Sequence, residues 1–326
     1  MKKKKVLVAA LNWGLGHAAR CIPVIRAFEK HGCEVAMASD GASLFLLKKE
    51  FPHLKAIGLP SYAIRYGNKL PMLLSIGVQL PKILRTIILE TRFLQAVQET
   101  EHFDVIVSDS RFGCRVPSIA NVYLTHQVII RLPGWLKMFE GLGAALHKTV
   151  WEKFDYVWVI DRKGDSGLSG KMGQSYTHQK ITHIGILSRF ASGEPAAKTL
   201  DVCFLLSGPE PQRTILEKAV IDRPWPEDKK YHLIRGLPES NGGLTLPSDW
   251  KVSNHLSTEE LRTVLLSAKH IVCRSGYSTI MDLARLGVRA TLIPTPGQPE
   301  QEYLVPIHSS MIRWSTLAAA RFDANE

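Results

Sequence analysis

The stretch Cys273–Tyr303 combines the residue types in this chain that are best suited to binding a charged ligand. An apolar run ends at Cys273, the turn Arg274-Ser275-Gly276 follows, and an apolar pattern with helical spacing begins after it. This order predicts a buried strand, a tight turn and a helix N-terminus. Such a terminus offers unbonded backbone N–H groups and the positive end of the helix dipole, so the turn is suited to an anion.

Acidic and amide side chains follow this turn. Asp282 lies in the predicted helix, where its carboxylate can accept hydrogen bonds from a ribose diol. A second strand ends at Ile293, and the polar loop after it contains Gln298, Glu300, Gln301 and Glu302. Carboxylates and amides can together bind the neighbouring hydroxyls of a sugar ring. Taken alone, the pattern fits equally well an ordinary βαβ unit with a polar surface loop.

The Arg-Ser-Gly turn, Asp282 and the Glu-Gln-Glu-Tyr loop together resemble the nucleotide-sugar half of GT-B glycosyltransferases of family 28. This is the family of the N-acetylglucosaminyltransferase that completes lipid II. The resemblance implies a UDP-sugar donor, with the ribose on Asp282 and the hexose on the polar loop. The phosphates would lie against the turn residues Ser275, Gly276, Tyr277, Ser278 and Thr279.

The same resemblance implies further donor contacts. Gly16 closes a glycine turn after the first strand, Ser207-Gly208 matches a pyrophosphate loop, and His255-Leu256 matches a segment that contacts the base. Arg189 falls on a Gly-x-x-x-Arg sequence at the domain junction. The chain contains no Asp-x-Asp pair, so we expect neither a metal nor another cofactor. Arg189, Arg274 and helix dipoles would then stabilise the departing diphosphate.

Short apolar runs alternate with helical patterns along the chain, which predicts an α/β fold. Each of two successive series has a glycine turn after its first strand, so we predict two doubly wound, Rossmann-like domains that face a cleft, as in GT-B enzymes. The predicted divisions are an acceptor-binding domain at 1–187, a linker at 188–198, a nucleotide-sugar domain at 199–306, and a helix at 307–326 that crosses back to the first domain.

Polar side chains at predicted strand ends of the first domain are candidates for catalysis. His17 follows the glycine turn and matches a histidine of the family, which makes it the first candidate base. Asp109 and His126 follow later strands and are the second and third. Arg111 is a candidate ligand for an anionic acceptor. Trp13, which stands where the family has a small residue, is placed on the acceptor as well. Local helix or loop capping is the alternative for His17, Asp109, His126 and Arg111.

The composition limits the class of protein. The chain has 326 residues, 45% of them hydrophobic, and a net charge of +11. No zinc-finger, helix-turn-helix or ribonucleoprotein pattern accompanies the charge, which argues against a nucleic-acid partner. Five scattered cysteines indicate reduced, buried thiols, and the apolar run after the first lysines is short for a signal peptide, so we predict a cytoplasmic protein.

The segment from Tyr62 to Arg92 mixes apolar residues with cations and contains no acid between Leu59 and Leu89. It fits either a surface that meets an anionic membrane or a core-packing helix pair with a basic face. The resemblance to family 28 implies transfer of a sugar from a UDP-sugar to an acceptor hydroxyl. The basic, apolar segment adds the prediction of a lipid-linked or otherwise anionic acceptor at the inner face of a membrane. The alternatives are a UDP-sugar 2-epimerase of the same fold and a nucleotide-sugar-binding subunit without catalysis.

Overall fold

The computed structural model describes residues 3–64, 77–132, 134–191, 196–240, 242–244 and 246–308. The chain divides into two compact units, Met1–Arg189 and Phe190–Glu326. Each unit is built around its own parallel sheet. The division falls within the predicted linker, and most of the predicted C-terminal helix lies outside the described residues.

The first unit has a seven-stranded sheet in the order β3-β2-β1-β4-β5-β6-β7, with every recorded strand pair parallel. Its strands are β1 (Lys5–Ala10), β2 (Glu34–Ser39), β3 (Lys55–Gly58), β4 (Val105–Asp109), β5 (Ala120–Thr125), β6 (Tyr156–Val159) and β7 (Ile181–His183). Its helices are α1 (Leu15–Lys30), α2 (Gly41–Glu50), α3 (Leu80–Glu101), α4 (Glu140–Trp151) and α5 (Lys171–Gln174), and a 3₁₀ helix spans Gly134–Phe139. The strand order reverses at β1, where open α/β sheets place their ligands.

The two faces of this sheet are covered by different helices. Parallel strands joined by a helix make right-handed crossovers. From β1 to β3 the chain adds strands towards one edge of the sheet, and from β4 to β7 it adds them towards the other edge. Helices α1 and α2 therefore cover one face, and α3 and α4 cover the other. β1 is buried on both faces, which explains its continuous apolar sequence. Leu94 of α3 packs in one core cluster with Leu7 and Ala9 of β1.

A buried ionic cluster ties the strand ends of this unit to α3. Arg111 donates to Glu90 of α3 at 2.5 Å, to Asp40 after β2 at 2.7 Å, and to the carbonyl oxygen of Pro60 after β3 at 2.6 Å. Glu90 also accepts a hydrogen bond of 2.8 Å from the Tyr62 hydroxyl. Arg111 and Glu90 are both fully buried. The first acid after the acid-free stretch is therefore an interior residue.

The second unit has a five-stranded parallel sheet in the order β10-β9-β8-β11-β12. Its strands are β8 (Leu200–Leu205), β9 (Tyr231–Ile234), β10 (Trp250–Ser253), β11 (Ala268–Arg274) and β12 (Thr291–Ile293). Its helices are α6 (Gln212–Ile221), α7 (Thr258–Ser267), α8 (Tyr277–Leu286) and α9 (Pro299–Ile307). The order reverses between β8 and β11, so the N-termini of α6 and α8, the helices that follow these two strands, lie at the switch point.

Aromatic packing and helix capping stabilise this unit locally. Phe204, Tyr231 and Trp250 stack with ring centroids 4.6 to 6.3 Å apart on adjacent strands. Ser257 caps α7, and Glu260 accepts a return hydrogen bond from the Ser257 backbone, as the predicted capping box requires. The prediction of an α/β fold with two parallel sheets is thus confirmed.

Replacement of Arg111 by Met tests the buried ionic cluster. The variant leaves the Glu90 carboxylate buried without its cation, and we expect a loss of about 3–5 kcal/mol in the free energy of unfolding. The matched control is Arg92→Met, on the exposed face of α3, for which we expect a change of about 0.5 kcal/mol or less. Urea denaturation followed by circular dichroism measures both, and similar losses in the two variants would contradict this assignment.

Candidate active site

The carboxyl ends of β1, β4 and β5 bring three predicted residues of the first unit together. β1 pairs with β4 so that Ala10 lies beside Asp109, and β5 ends one residue before His126. α1 starts at Leu15, earlier than the sequence indicates, so Gly16 and His17 lie in its first turn rather than in the preceding loop. Gly14 precedes this helix with a φ of 83°, a backbone conformation that glycine adopts readily.

Arg20 joins His17, Asp109 and His126 into one cluster. Its Nε donates to Asp109 Oδ2 at 2.6 Å, and its Nη2 donates to Asp109 Oδ1, which makes the pair bidentate. Nη2 also lies 2.8 Å from Nδ1 of His17, and Nη1 lies 2.9 Å from Nδ1 of His126. Nδ1 of His17 is 3.2 Å from Asp109 Oδ1.

The charges of this cluster compensate one another inside the protein. Burial opposes ionisation of Asp109, but the Arg20 guanidinium outweighs it and holds the pKa of the Asp109 carboxyl well below its usual range. Burial, together with the charge of Arg20, lowers the pKa of His17, so its imidazole is neutral at pH 7. The side chain of His17 is 17% exposed, whereas that of Asp109 is inaccessible. His17 is therefore the member of this pair that a substrate can reach.

These positions correct two sequence-based predictions. Asp109 is fully buried and bonded to Arg20, so it cannot contact an acceptor as a base. Arg111 is fully buried within the ionic cluster, so it cannot hold an anionic acceptor. Ser110, which separates them, has a φ of 58° in the left-handed region. This backbone turn directs the side chains of Asp109 and Arg111 into two different buried clusters.

Trp13 lies in the loop before α1. Its ring packs partly buried against a cluster of Leu11, Tyr62 and Ile83. Nothing in the described structure places it on an acceptor, and that role stays a prediction.

The turn after β11 in the second unit contains a buried cation. Arg274 is 3% exposed, donates to the carbonyl oxygens of Pro294 and Gln212 at 2.9 Å each, and has a buried Nε with no hydrogen-bond partner. No carboxylate among the described residues pairs with it. Burial alone accordingly lowers the pKa of Arg274, to about 10. The guanidinium remains charged at pH 7.

The loop between β12 and α9 contributes two more buried polar atoms without partners, the hydroxyl oxygen of Thr295 and Oε1 of Gln298. Gln301 organises this loop: its Oε1 accepts from the Thr295 backbone at 2.8 Å, and its carbonyl oxygen accepts from the Ser275 hydroxyl at 3.1 Å. Buried polar groups in folded proteins are almost always paired. Three orphaned atoms lie around one loop, counting Arg274 Nε, and a polar ligand or water can satisfy them.

The other predicted residues of this half surround the turn. Gly276 is the N-cap of α8 and provides no side-chain cap, and Tyr277, Ser278 and Thr279 form the first helical turn. Asp282 follows in the next turn and is mostly buried. Glu302 accepts a hydrogen bond of 2.8 Å from the Gly297 backbone, and Glu300 lies in the first turn of α9.

Three other predicted contacts to the sugar donor lie earlier in the chain than this turn. Ser207-Gly208 connects β8 to the loop before α6, and Gly208 has a φ of 105°. His255-Leu256 lies between β10 and α7, beside Asn254, which Arg235 holds at 2.9 Å. Arg189 is the last residue of the first unit, and its carbonyl oxygen accepts from Arg26 at 3.0 Å.

Arg20 and Thr295 are site residues that the sequence patterns did not predict. Arg20 lies three positions after His17, a spacing that puts both on one face of a helix, so the pattern contains a signal for it. Thr295 has no such signal, because its burial depends on how the loop folds over β11. In the described part of the chain, no group of three or more His, Cys, Asp or Glu side chains is arranged to hold a metal, and no helix has the length and hydropathy of a membrane span.

The Asp109–Arg20 pair makes stability depend on pH. The folded-state pKa of Asp109 lies below the unfolded value of about 3.9, so its contribution is present above that pH and is lost as the pH falls below it. We expect Asp109→Asn to be less stable than wild type at pH 7, by a margin that shrinks towards pH 3. Exposed Asp222→Asn is the control and should show no such convergence in urea denaturation. A constant difference for Asp109→Asn would contradict the pairing.

The chain is similar to a known domain family and to several solved structures. Residues 257–304 match the Glycosyltransferase family 28 C-terminal domain. The glycotransferase of kitacinnamycin is similar in structure, with a TM-score of 0.61 and 18% identity over 96% of this chain and 86% of that chain. The glycosyltransferase SnogD from Streptomyces nogalater has a TM-score of 0.59 and 15% identity, over 94% and 86%.

The spinosyn rhamnosyltransferase SpnG complexed with thymidine diphosphate is similar too, with a TM-score of 0.57 and 14% identity over 94% of this chain and 85% of that chain. No curated protein sequence matches the chain. At these identities the structural likeness establishes the fold. The chain therefore has the fold of the GT-B glycosyltransferases, and its segment 257–304 resembles the C-terminal domain of family 28.

Proposed function

We propose that this protein transfers a sugar from a nucleotide diphosphate sugar to an acceptor. The observation that carries the proposal is the buried Arg274 cation, which has no carboxylate partner among the described residues and lies beside two orphaned polar atoms. A buried charge needs an opposite charge or strong hydrogen bonds. A diphosphate supplies the anion, and the attached sugar supplies hydroxyls for Thr295 and Gln298.

The second unit has the parts to stabilise a departing diphosphate without a metal. Arg274 donates to the carbonyl oxygen of Gln212, the first residue of α6, and lies two residues before Gly276 at the start of α8. The N-cap residue of α8, Gly276, provides no side-chain cap, and the positive end of the helix dipole there favours an anion. Preorganised donors of this kind stabilise charge that develops on a leaving group.

The proposed donor is a UDP-sugar, with Asp282 on the ribose and the loop from Thr295 to Glu302 on the sugar. This choice rests on the resemblance to family 28. The thymidine diphosphate bound to the spinosyn rhamnosyltransferase makes TDP-sugars the competing donor class. The two bases differ only by a methyl group, while the two pentoses differ in the 2′-hydroxyl. A ribose-specific contact from Asp282 would therefore favour UDP.

Exposed apolar rows on one face of the first unit support an acceptor at a membrane surface. Leu80, Leu84 and Ile88 repeat every four residues on α3 and are 50–54% exposed. A second row at the same spacing, Met138, Leu142 and Leu146, is 61–75% exposed. Exposed cations, including Arg85 and Arg92, flank the first row.

Both rows lie on the same side of the sheet, because α3 and α4 contact the same loop. Gly113 accepts a hydrogen bond of 3.0 Å from Thr91 of α3, and its neighbour Phe112 contacts the His147 ring of α4 at 6.2 Å between centroids. Apolar side chains flanked by cations suit the surface of an anionic bilayer. With a net charge of +11, the protein would be attracted to such a surface. We propose that an acceptor linked to lipid is used there.

Gly276→Ala tests the donor site. A Cβ at position 276 would meet only the Thr279 hydroxyl at 4.0 Å, so the fold should tolerate Ala. It would occupy the space where a phosphate approaches the backbone, and we expect the affinity for the nucleotide to fall at least about tenfold. Gly243→Ala is the control, because that glycine also has open space and normal backbone angles.

Calorimetry with UDP- and TDP-sugars on wild type and both variants measures this effect. Unchanged affinity in Gly276→Ala would place the ligand elsewhere. Absence of binding of either donor class to wild type would refute the proposed function. A screen of acceptors with radiolabelled donors then distinguishes transfer from hydrolysis or epimerisation of the donor, which would identify a different reaction.

Leu84→Asp tests the membrane surface. We expect it to weaken sedimentation with anionic phosphatidylglycerol liposomes several-fold, because it adds a negative charge to an exposed apolar row. Phe45→Asp is the control, since Phe45 is an exposed apolar residue on α2, on the opposite face of the sheet. Equal effects, or no binding of wild type to these liposomes, would remove the membrane from the proposal and leave the transferase reaction standing.

A further inference from the structure

The contacts of Arg20 determine which nitrogen of each neighbouring histidine carries the proton. A guanidinium has five N–H donors and no acceptor. Arg20 approaches Nδ1 of His17 at 2.8 Å and Nδ1 of His126 at 2.9 Å. A ring nitrogen that accepts from arginine must present a lone pair. A neutral ring in either position therefore carries its proton on Nε2.

Asp109 provides the competing contact. If Nδ1 of His17 carried the proton, it could donate to Asp109 Oδ1 at 3.2 Å, but its N–H would then face an N–H of Arg20 across the shorter distance of 2.8 Å. Both oxygens of Asp109 already accept from Arg20. The Ser110 hydroxyl lies 3.2 Å from the same Oδ1. Both carboxylate oxygens of Asp109 thus have hydrogen-bond partners without His17.

His126 fits the same arrangement. Its Nε2 lies 3.2 Å from the side-chain amide of Gln127. Rotating that amide by 180° presents its oxygen to an Nε2–H donor, and the two orientations have the same shape. One arginine can therefore hold both rings in the same tautomer.

We propose that Arg20 is a positioning residue that holds His17 as the Nε2–H tautomer, so that His17 offers a hydrogen-bond donor to the substrate instead of acting as a base. Within the described residues, Nε2 of His17 forms no hydrogen bond with the protein. A substrate oxygen is the group that would accept from it. The sequence-based prediction of His17 as the base requires the opposite tautomer.

For the proposed function, on which this step rests, the tautomer selects the acceptor. Because His17 presents an N–H group to the acceptor and no basic nitrogen, the attacking oxygen of the acceptor has to be ionised before it binds, as in a phosphate, carboxylate or phenolate. That oxygen forms a bond to the anomeric carbon, the bond from this carbon to the diphosphate oxygen breaks, and its electron pair leaves with the diphosphate. No proton has to be removed. The Nε2–H group of His17 would donate a hydrogen bond to the oxyanion before it attacks.

The tautomer can be measured without any substrate. Long-range proton–nitrogen NMR spectra of protein labelled with ¹⁵N-histidine distinguish the two neutral forms and the imidazolium, and His17→Gln identifies the signal of His17. We expect the Nε2–H form at pH 7. An Nδ1–H form or an imidazolium would overturn the proposal. Arg20→Gln should release His17 to donate to Asp109 through Nδ1, and if this variant does not fold, the wild-type spectrum still decides.

Activity provides an independent test. Gln at position 17 retains an N–H donor near the position of Nε2 but cannot act as a base, whereas Ala provides neither. We expect His17→Gln to stay within about tenfold of wild-type kcat/KM and His17→Ala to lose about 10²-fold or more, the usual cost of one such donor. Equal losses would overturn the donor role. If wild type transfers sugar to no acceptor, the proposed function fails, while the NMR spectrum still answers the question of the tautomer.

Discussion

The bidentate pair between Arg20 and Asp109 is the interaction on which the first unit's strand ends depend. It brings a charged side chain of α1 onto the last residue of β4, where neither partner is accessible to water. Removing two charges from water is costly, so the pair persists only because its geometry satisfies both groups. The two histidines then adopt the positions that remain around the guanidinium. Their chemistry is a consequence of this pair rather than of their own location.

Arg111, two residues beyond the end of the same strand, forms a second buried pair with Glu90 of α3. The left-handed backbone at Ser110 separates the two clusters, so Asp109 and Arg111, two positions apart, belong to different parts of the unit. One cluster faces α1 and includes a partly exposed histidine. The other joins the ends of β2 and β3 to α3 and contains no exposed carboxylate. Buried ion pairs therefore stabilise both the candidate site and the strand ends around it.

The buried arginine of the second unit has other partners than those of the first. Arg274 is as buried as Arg20, but among the described residues it is held by backbone carbonyl oxygens alone. Carbonyl oxygens satisfy hydrogen bonds without neutralising the cation. The first unit thus pairs its buried Arg20 and Arg111 with carboxylates at its strand ends, whereas the second leaves Arg274 without one among the described residues. Under the proposed function, this uncompensated cation is the group that would meet the diphosphate of the donor.

The sequence by itself determined the strands, the parallel α/β class and the turn after β11, because apolar runs and glycine turns are local signals that any buried parallel sheet needs. It also identified His17, Asp109 and Arg274 as polar residues at strand ends. Only the tertiary structure decided what each does, because burial and pairing depend on residues far apart in the chain. Arg20 and Asp109 are separated by 89 positions. Asp109 and Arg111 lie at sequence positions where exposed ligand residues are expected, yet both are buried. The Thr295 hydroxyl becomes buried without a hydrogen-bond partner only when its loop folds over β11.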